Sequence, residues 1–202
     1  VTVGISTSGT GTEGTDYSTI SDITISAGAT TGTASFTPTD DSIYEGNETG
    51  IVAISTVSGG SATEDGTQSV TITITENESA PTVTLSRSAA SIAENSGSSV
   101  TLTATLSIKV DEAVTVSLST SGAATEGTDY TDGSGNLDDI TISAGSTTGT
   151  VSFTPTDDSV YEGDEAAVIA IDTVSGGGAS EDGTQSVTCL LYTSDAADEV
   201  VS

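Results

Sequence analysis

An internal repeat constrains the fold of this 202-residue chain more than any other feature of its sequence. Residues 31–48 recur almost unchanged as residues 148–165, at an offset of 117 (148 − 31). Residues 12–17 recur as residues 125–130 at an offset of 113 (125 − 12), and a longer loop around residues 132–139 of the second copy explains the difference. Because close copies of one sequence adopt one fold, the chain is predicted to contain two like units in series.

Short alternating runs predict that both units are all-β. In residues 70–74 and 100–106, Val, Ile, Leu or Ala alternates with Thr, and a period of two places the apolar side chains on one face of a strand. Only 33 % of the residues are hydrophobic, but their concentration in these runs argues against disorder. A unit of this length with short strands predicts an immunoglobulin-like antiparallel β-sandwich of about seven strands, so the fold class is tandem sandwiches.

The repeat also predicts the domain boundaries. Residues 1–6 correspond to residues 114–119, so residues 1–80 form a first repeat that lacks its opening strands. Pro81 begins a nearly complete second repeat over residues 81–188. The repeat pattern stops at Cys189, and we expect residues 189–202 to be a non-repeat tail of sequencing or assembly origin. The chain is therefore expected to be a fragment of a longer array.

The charge balance excludes several classes of function. Lys109 and Arg87 stand against 30 acidic residues, for a net charge of −28, so the chain cannot neutralise nucleic-acid phosphates or an anionic membrane surface. The absence of His, with a single Cys, excludes Ser-His-Asp and Cys-His catalysis, His/Cys zinc sites and internal disulfides. Carboxylate pairs could support glycoside chemistry, but few aromatics are present to bind a sugar, so no enzyme activity is expected. No apolar run is long enough to insert into a membrane.

Each unit contains an acidic loop with the pattern D-D-x-x-x-E-x-x-E. The acids are Asp40, Asp41, Glu45 and Glu48 in the first copy and Asp157, Asp158, Glu162 and Glu165 in the second. Two such carboxylates 4 Å apart repel by about 4 kcal/mol at an effective dielectric of 20, a cost that a bound cation removes. Ca²⁺ fits because it accepts six to eight oxygens in irregular geometry. The residues alone leave open the alternative of a solvated acidic loop that keeps the protein soluble.

Four strings of the second copy together resemble the Calx-beta domain, which is named for sodium/calcium exchangers. They are residues 92–97, residues 114–116, residues 127–130 and the acidic loop at residues 157–165. The resemblance implies a Ca²⁺ site in each unit. In the second copy it would use Glu94, Asp129, Asp157, Asp158, Glu162, Glu165 and the carbonyl of Val160. In the first copy it would use Asp16, Asp40, Asp41, Glu45, Glu48, the carbonyl of Ile43, and Glu76 and Glu78, without a counterpart of Glu94.

The expected function is that of a calcium-binding β-sandwich repeat, a structural or adhesive module of a large extracellular or cell-surface protein. Its partners would be neighbouring repeats and other cell-surface or matrix proteins. Extracellular modules bind Ca²⁺ with dissociation constants of about 10⁻⁴ to 10⁻³ M, so the ion would rigidify units and junctions constitutively. Two alternatives stay open. One is an intracellular regulatory calcium sensor, as the exchanger relatives imply, and the other is an acidic spacer that binds no ion.

Overall fold

A computed structural model of the chain describes residues 1–158 and 160–193. The chain divides into two compact units, Val1–Glu78 and Ser79–Ser202, so the first unit ends two residues before the predicted boundary at residue 80. Among the residues described, no helix has the length and apolar character needed to cross a membrane. The second unit shows the complete fold and is described after the first.

The first unit forms one four-stranded antiparallel sheet. The strands of this unit are β1 (Thr2–Gly9), β2 (Ile23–Thr24), β3 (Ile43–Tyr44), β4 (Glu48–Ser58) and β5 (Ser69–Ile74). The sheet has the order β2-β1-β4-β5, and the short strand β3 is not part of it. A bulge between Gly4 and Ile5 shifts the β1–β4 register, which bends the strand. Few apolar side chains of this unit are enclosed, and Val70 on β5 is 62 % exposed. The absence of opening strands from this repeat stays a prediction.

The second unit is a two-sheet sandwich. Its strands are β6 (Thr82–Arg87), β7 (Ser91–Ala93), β8 (Val100–Leu106), β9 (Lys109–Val110), β10 (Val114–Gly122), β11 (Tyr130–Thr131), β12 (Ile140–Ile142), β13 (Thr148–Pro155), β14 (Glu165–Ser175), β15 (Ser180–Glu181) and β16 (Ser186–Tyr192). One sheet has the order β12-β10-β14-β16-β7 and the other β11-β13-β8-β6-β15. The predicted all-β sandwich is confirmed, although the edge pairs β15–β6 and β16–β7 are parallel rather than antiparallel.

Alternation of apolar residues fills the space between these two sheets. Leu102 of β8 and Phe153 of β13, in one sheet, and Ile169 of β14, in the other, are all completely buried. The ring of Phe153 stacks on Tyr130 with centroids 4.4 Å apart. Burial of a large apolar side chain contributes about 1.5–3 kcal/mol to stability, so these residues stabilise the sandwich from which the acidic loop extends.

The last strand differs from the sequence-based expectation that the unit ends at residue 188. Strand β16 continues to Tyr192 and pairs with both β14 and β7. Cys189 and Leu191 are completely buried, and an offset of 117 places them where Ile72 and Ile74 lie in the first unit. Apolar residues at alternate positions continue the strand into the core beyond the repeat pattern, and the boundary at residue 188 stays a prediction. Residues 194–202 of the predicted tail lie outside the described residues.

Candidate metal centre

An acidic cavity of about 250 Å³ opens in the first unit. Its lining contains every residue that the sequence assigned to the first copy's site: Asp16, Asp40, Asp41, Ile43, Glu45, Glu48, Glu76 and Glu78. The chain reaches this cavity from four places, namely the turn at residues 12–17, the segment before β3, the start of β4 and the end of β5. Residues distant in sequence are thus brought to one opening.

Three carboxylates form the centre of this cavity. Asp16, Glu45 and Glu48 each place one carboxylate oxygen within 4.8 Å of the others, and all three are half-buried. The backbone N–H of Thr12 donates to Asp16 at 2.5 Å, which holds the carboxylate in its turn. Because three negative charges meet at this spacing, the cluster favours a cation.

Asp40 and Asp41 lie on the exposed rim of the cavity. Asp41 accepts a hydrogen bond from the N–H of Ile43 at 2.7 Å, which folds the chain into a tight turn before β3. Asp40 accepts from the Asn77 side-chain amide at 2.9 Å. Both can contribute oxygens at the cavity mouth, but neither belongs to the cluster formed by Asp16, Glu45 and Glu48.

Glu76 and Glu78 approach the cavity from the end of β5. Burial would raise the pKa of Glu76, but hydrogen bonds from the N–H groups of Glu78, Glu45 and Gly46 outweigh it and lower the pKa to about 2. The pKa of Glu78 is raised instead, first by its hydrogen bond with Glu76, then by burial and by repulsion from Glu76 and Asp40. The two neighbouring carboxyl groups therefore shift in opposite directions, since the pKa of Glu76 is lowered and the pKa of Glu78 is raised.

The second unit brings the equivalent three residues together. Asp129, Glu162 and Glu165 also place carboxylate oxygens within 4.8 Å of one another. They occupy the positions of Asp16, Glu45 and Glu48 at the repeat offsets of 113 (129 − 16) and 117 (162 − 45). Asp129 is buried and accepts the N–H of Thr125 at 2.6 Å, as Asp16 accepts that of Thr12. Two independent copies of the sequence build the same cluster.

Glu94 adds a fourth carboxylate beside this cluster. It begins a 3-10 turn, Glu94–Ser96, that ends at Gly97 with a φ of +61°, a conformation that favours glycine. The side chain is only 8 % exposed. Burial raises its pKa most, followed by the charges of Glu162, Asp158, Asp129 and Glu165. Glu94 therefore lies within electrostatic reach of the cluster, in a place where a cation would stabilise its charged form.

The pKa values of the two glutamates within the cluster, Glu162 and Glu165, are also raised. The pKa of Glu162 is raised by burial and then by the charges of Asp129 and Asp158. The pKa of Glu165 is raised by burial, by Asp129 and Glu162, and by a hydrogen bond with Asp129. These shifts show that the carboxylates of the second unit repel one another when no cation lies between them.

Three residues of the predicted set, all in the acidic loop, do not join this cluster: Asp157, Asp158 and Val160. Asp157 is exposed, and Val160 is 58 % exposed with its N–H donated to Asp158 at 2.6 Å. Asp158 is near enough to raise the pKa of Glu94 and Glu162, but it is not one of the three residues within 4.8 Å. The loop thus supplies its glutamates to the cluster and leaves its aspartates toward solvent.

The donor set fits a hard divalent cation. Every candidate side chain offers carboxylate oxygen, and Ca²⁺ takes six to eight such oxygens at flexible geometry. In the whole sequence Lys109 and Arg87 are the cationic side chains, against 30 acidic residues. Soft-metal chemistry has no ligands in these clusters, because neither contains His or Cys.

Comparison with known families identifies the units. The model of the Calx-beta domain family matches residues 1–78 and residues 76–195. The chain belongs to the Calx-beta domain family. The second match includes strand β16, which the structure also assigns to the second unit. A search of curated proteins finds no match.

Solved structures similar to the chain include Calx CBD domains and domains of an S-layer protein. A structure titled apo-form Calx CBD1 domain is 20 % identical over 56 % of this chain and 99 % of that one, with a TM-score of 0.45. The calcium binding domain CBD12 of CALX1.1 is 14 % identical over 95 % and 86 %, with a TM-score of 0.38. Domains 4 and 5 of the S-layer protein SbsC are 19 % identical over 85 % and 64 %, with a TM-score of 0.30.

A repeated glutamate that the sequence analysis did not single out anchors a loop of each Calx-beta unit. Glu126 accepts the hydroxyl of Thr120 at 2.9 Å and the N–H of Leu137. Glu13, its counterpart, accepts the hydroxyl of Thr7 and the N–H of Ile20, both at 2.7 Å. The available signal was that this glutamate precedes the site aspartate by three residues in both copies. Its role is to hold the loop that carries Asp16 or Asp129.

Proposed function

We propose that the chain is a calcium-binding structural repeat, in which each Calx-beta unit binds Ca²⁺ at its carboxylate cluster. The observation that carries this proposal is the recurrence of one geometry. Asp16, Glu45 and Glu48 meet within 4.8 Å in the first unit, and the equivalent residues meet within 4.8 Å in the second. A solubility coat would place its acids apart to reduce repulsion, whereas these units gather theirs.

The mechanism is mechanical rather than catalytic. A cation among the three carboxylates of the first unit would tie the turn at residues 12–17 to the start of β4. A ligand that binds only the folded state stabilises it by RT ln(1 + [L]/Kd), about 2.7 kcal/mol at 100 times Kd. We therefore infer no enzyme activity, and the ion acts as a strut within each unit.

The setting that suits such a strut is the cell surface or the extracellular medium. The composition, with 30 acidic residues against two basic ones, supports an exported repeat whose partners are neighbouring repeats and surface or matrix proteins. It offers no basic surface for nucleic acid or an acidic membrane. The Calx-beta family, which is named for sodium/calcium exchangers, favours instead a regulatory calcium sensor inside the cell, and this is the second candidate.

Affinity discriminates between the two candidates. Extracellular modules bind Ca²⁺ with Kd of about 10⁻⁴ to 10⁻³ M, and intracellular sensors with Kd of about 10⁻⁷ to 10⁻⁵ M. A titration that gives a value in the first range supports the structural role, and a value in the second range supports the sensor. Absence of binding identifies the chain as an acidic spacer.

The proposal is tested by unfolding the full chain in CaCl₂, in MgCl₂ and in EDTA. We expect Ca²⁺ to raise the unfolding midpoint and Mg²⁺ to do so far less, because Mg²⁺ requires a strict octahedron and retains its waters. In the double variant Glu48→Gln with Glu165→Gln, which removes one ligand from each cluster, the Ca²⁺ effect should be lost. The control is Asp172→Asn, an exposed acid on β14 outside both clusters. Equal midpoints in all three solutions would refute the proposal.

A further inference from the structure

Both oxygens of the Glu76 carboxylate accept hydrogen bonds from backbone N–H groups. Oε2 accepts from the N–H groups of Glu45 at 2.6 Å and Gly46 at 2.8 Å. Oε1 accepts from the N–H groups of Asn77 at 2.8 Å and Glu78 at 3.0 Å. A carboxylate has about four lone-pair sites, so these four backbone bonds, with the further hydrogen bond that Glu76 shares with the Glu78 side chain, use its accepting capacity.

The same residue is tied to the acidic loop in the opposite direction. The N–H of Glu76 donates to the side-chain oxygen of Asn47 at 2.9 Å. Glu76 therefore joins the end of β5 to three successive residues, Glu45, Gly46 and Asn47. Gly46 lies in the left-handed region, at a φ of +75°, so the N–H groups of this turn converge on one acceptor and form a small anion-binding concavity.

We propose that Glu76 is a positioning residue for the metal site of the first unit and not one of its ligands. This inference rests on the proposed Ca²⁺-binding function. By fixing the backbone of Glu45, the Glu76 carboxylate sets where the Glu45 and Glu48 side chains leave the chain, and so sets their approach to Asp16. The ligand cluster is held together before an ion arrives, which lowers the ordering cost of binding.

The second unit provides an internal comparison. The offset of 117 places Thr193 at the position of Glu76 (193 − 76), and threonine has no carboxylate to accept several N–H groups. The equivalent turn, Glu162 and Gly163, keeps the left-handed glycine with a φ of +81°. The second unit has Glu94 beside its cluster instead. The two sites are therefore built differently, the first with a backbone anchor and the second with an additional buried carboxylate.

The first experiment measures amide hydrogen exchange in EDTA, using the full chain and the variants Glu76→Gln and Glu78→Gln. Both variants remove one charge from the same cavity, but Glu76→Gln alone disturbs the acceptor of the Glu45 and Gly46 N–H groups. We expect exchange of these two amides to accelerate at least tenfold in Glu76→Gln and to stay near wild type in Glu78→Gln. The amides of Glu162 and Gly163 serve as the internal reference. If exchange of the Glu45 and Gly46 amides is unchanged in Glu76→Gln, the Glu76 carboxylate does not hold this turn, and the proposal is wrong.

The second experiment separates positioning from ligation. In a background with Glu162→Gln and Glu165→Gln, which disables the second site, Eu³⁺ luminescence lifetimes in H₂O and D₂O count the waters on the bound ion. We expect Glu76→Gln to weaken Ca²⁺ binding about tenfold while the water count at saturating Eu³⁺ stays at the wild-type value. An added water would identify Glu76 as a ligand and overturn the proposal.

The third experiment transfers the anchor to the second unit. The substitution Thr193→Glu should slow exchange of the Glu162 and Gly163 amides and tighten Ca²⁺ binding there severalfold, a gain that loss of general stability cannot produce. No gain in either quantity would contradict the positioning role. If the wild-type chain binds no Ca²⁺ at all, the proposed function fails, but the exchange measurement in EDTA still decides whether Glu76 anchors the turn.

Discussion

Replacing Asp129 by Asn should have opposite effects on the stability of the second unit with and without Ca²⁺. Asp129 is buried and lies within 4.8 Å of carboxylate oxygens of Glu162 and Glu165. At that separation the repulsion from Glu165 is about 1 kcal/mol even at the dielectric of water, and Glu162 adds to it. The amide oxygen of the new side chain can still accept the Thr125 N–H. In EDTA, the free energy of unfolding should therefore rise by about 1 kcal/mol.

With Ca²⁺ bound, the wild-type second unit should instead be more stable than the Asp129→Asn variant. A wild-type site at 100 times its Kd gains about 2.7 kcal/mol from the ion. Asp129→Asn removes a charged ligand, so most of that gain is lost, and the variant should become less stable than wild type by about 1–2 kcal/mol. The crossing of the two stabilities, rather than either value alone, is the prediction.

Urea unfolding followed by the backbone amide signals of the full chain measures this effect for each unit. Ile169 on β14 reports the second unit and Val52 on β4 reports the first, which should not respond. Asp172→Asn controls for the general loss of one charge. If Asp129→Asn lowers stability by the same amount in EDTA and in Ca²⁺, the aspartate serves only to hold its turn through Thr125, and the metal-site reasoning is wrong.

Three further predictions concern protons, the core and the loop anchor. The pKa of Glu94 is raised above 4.5 by burial and by Glu162, so the folded state binds more protons than the unfolded state. In EDTA the free energy of unfolding of the second unit should therefore rise as pH falls from 7 toward 4.5, which pH-dependent unfolding measures. The Ca²⁺ affinity, measured by titration, should fall over the same range. A free energy of unfolding that falls with pH would contradict the predicted direction. Phe153→Ala should lower the free energy of unfolding by about 3–5 kcal/mol. Phe36→Ala should lower it clearly less, because Phe36 is half-buried in the open first unit. Equal losses in urea unfolding would show that the first unit has a closed core. Glu126→Ala should weaken Ca²⁺ binding in the second unit alone, because the loop carrying its aspartate is released; an unchanged Kd would leave Glu126 with no role at the site.

Much of the fold follows from sequence pattern alone. Alternation in residues 70–74 and 100–106 predicts strands, and both runs are strands in the structure, β5 and β8. Repetition does not predict how far β16 extends, because the length of this strand depends on which side chains fill the core. Cys189 and Leu191 satisfy that requirement without matching the repeat.

The site is predictable in its composition and less so in its geometry. The repeated acids of both units predict which residues are near the opening, and Asp16, Glu45 and Glu48 do meet there. The spacing of acids cannot show that Glu76 accepts four N–H groups, since this depends on the backbone conformation around Gly46. For the same reason the outward direction of Asp157 is visible only in the folded loop.

Isothermal titration of the full chain with CaCl₂, after removal of divalent ions, tests the central claim most directly. The account predicts binding to both units, with Kd of about 10⁻⁴ to 10⁻³ M, and at least one ion lost when Glu48→Gln is combined with Asp16→Asn. The same titration with MgCl₂ should give far weaker binding. Absence of Ca²⁺ binding, or binding that the substitutions leave unchanged, would contradict the account.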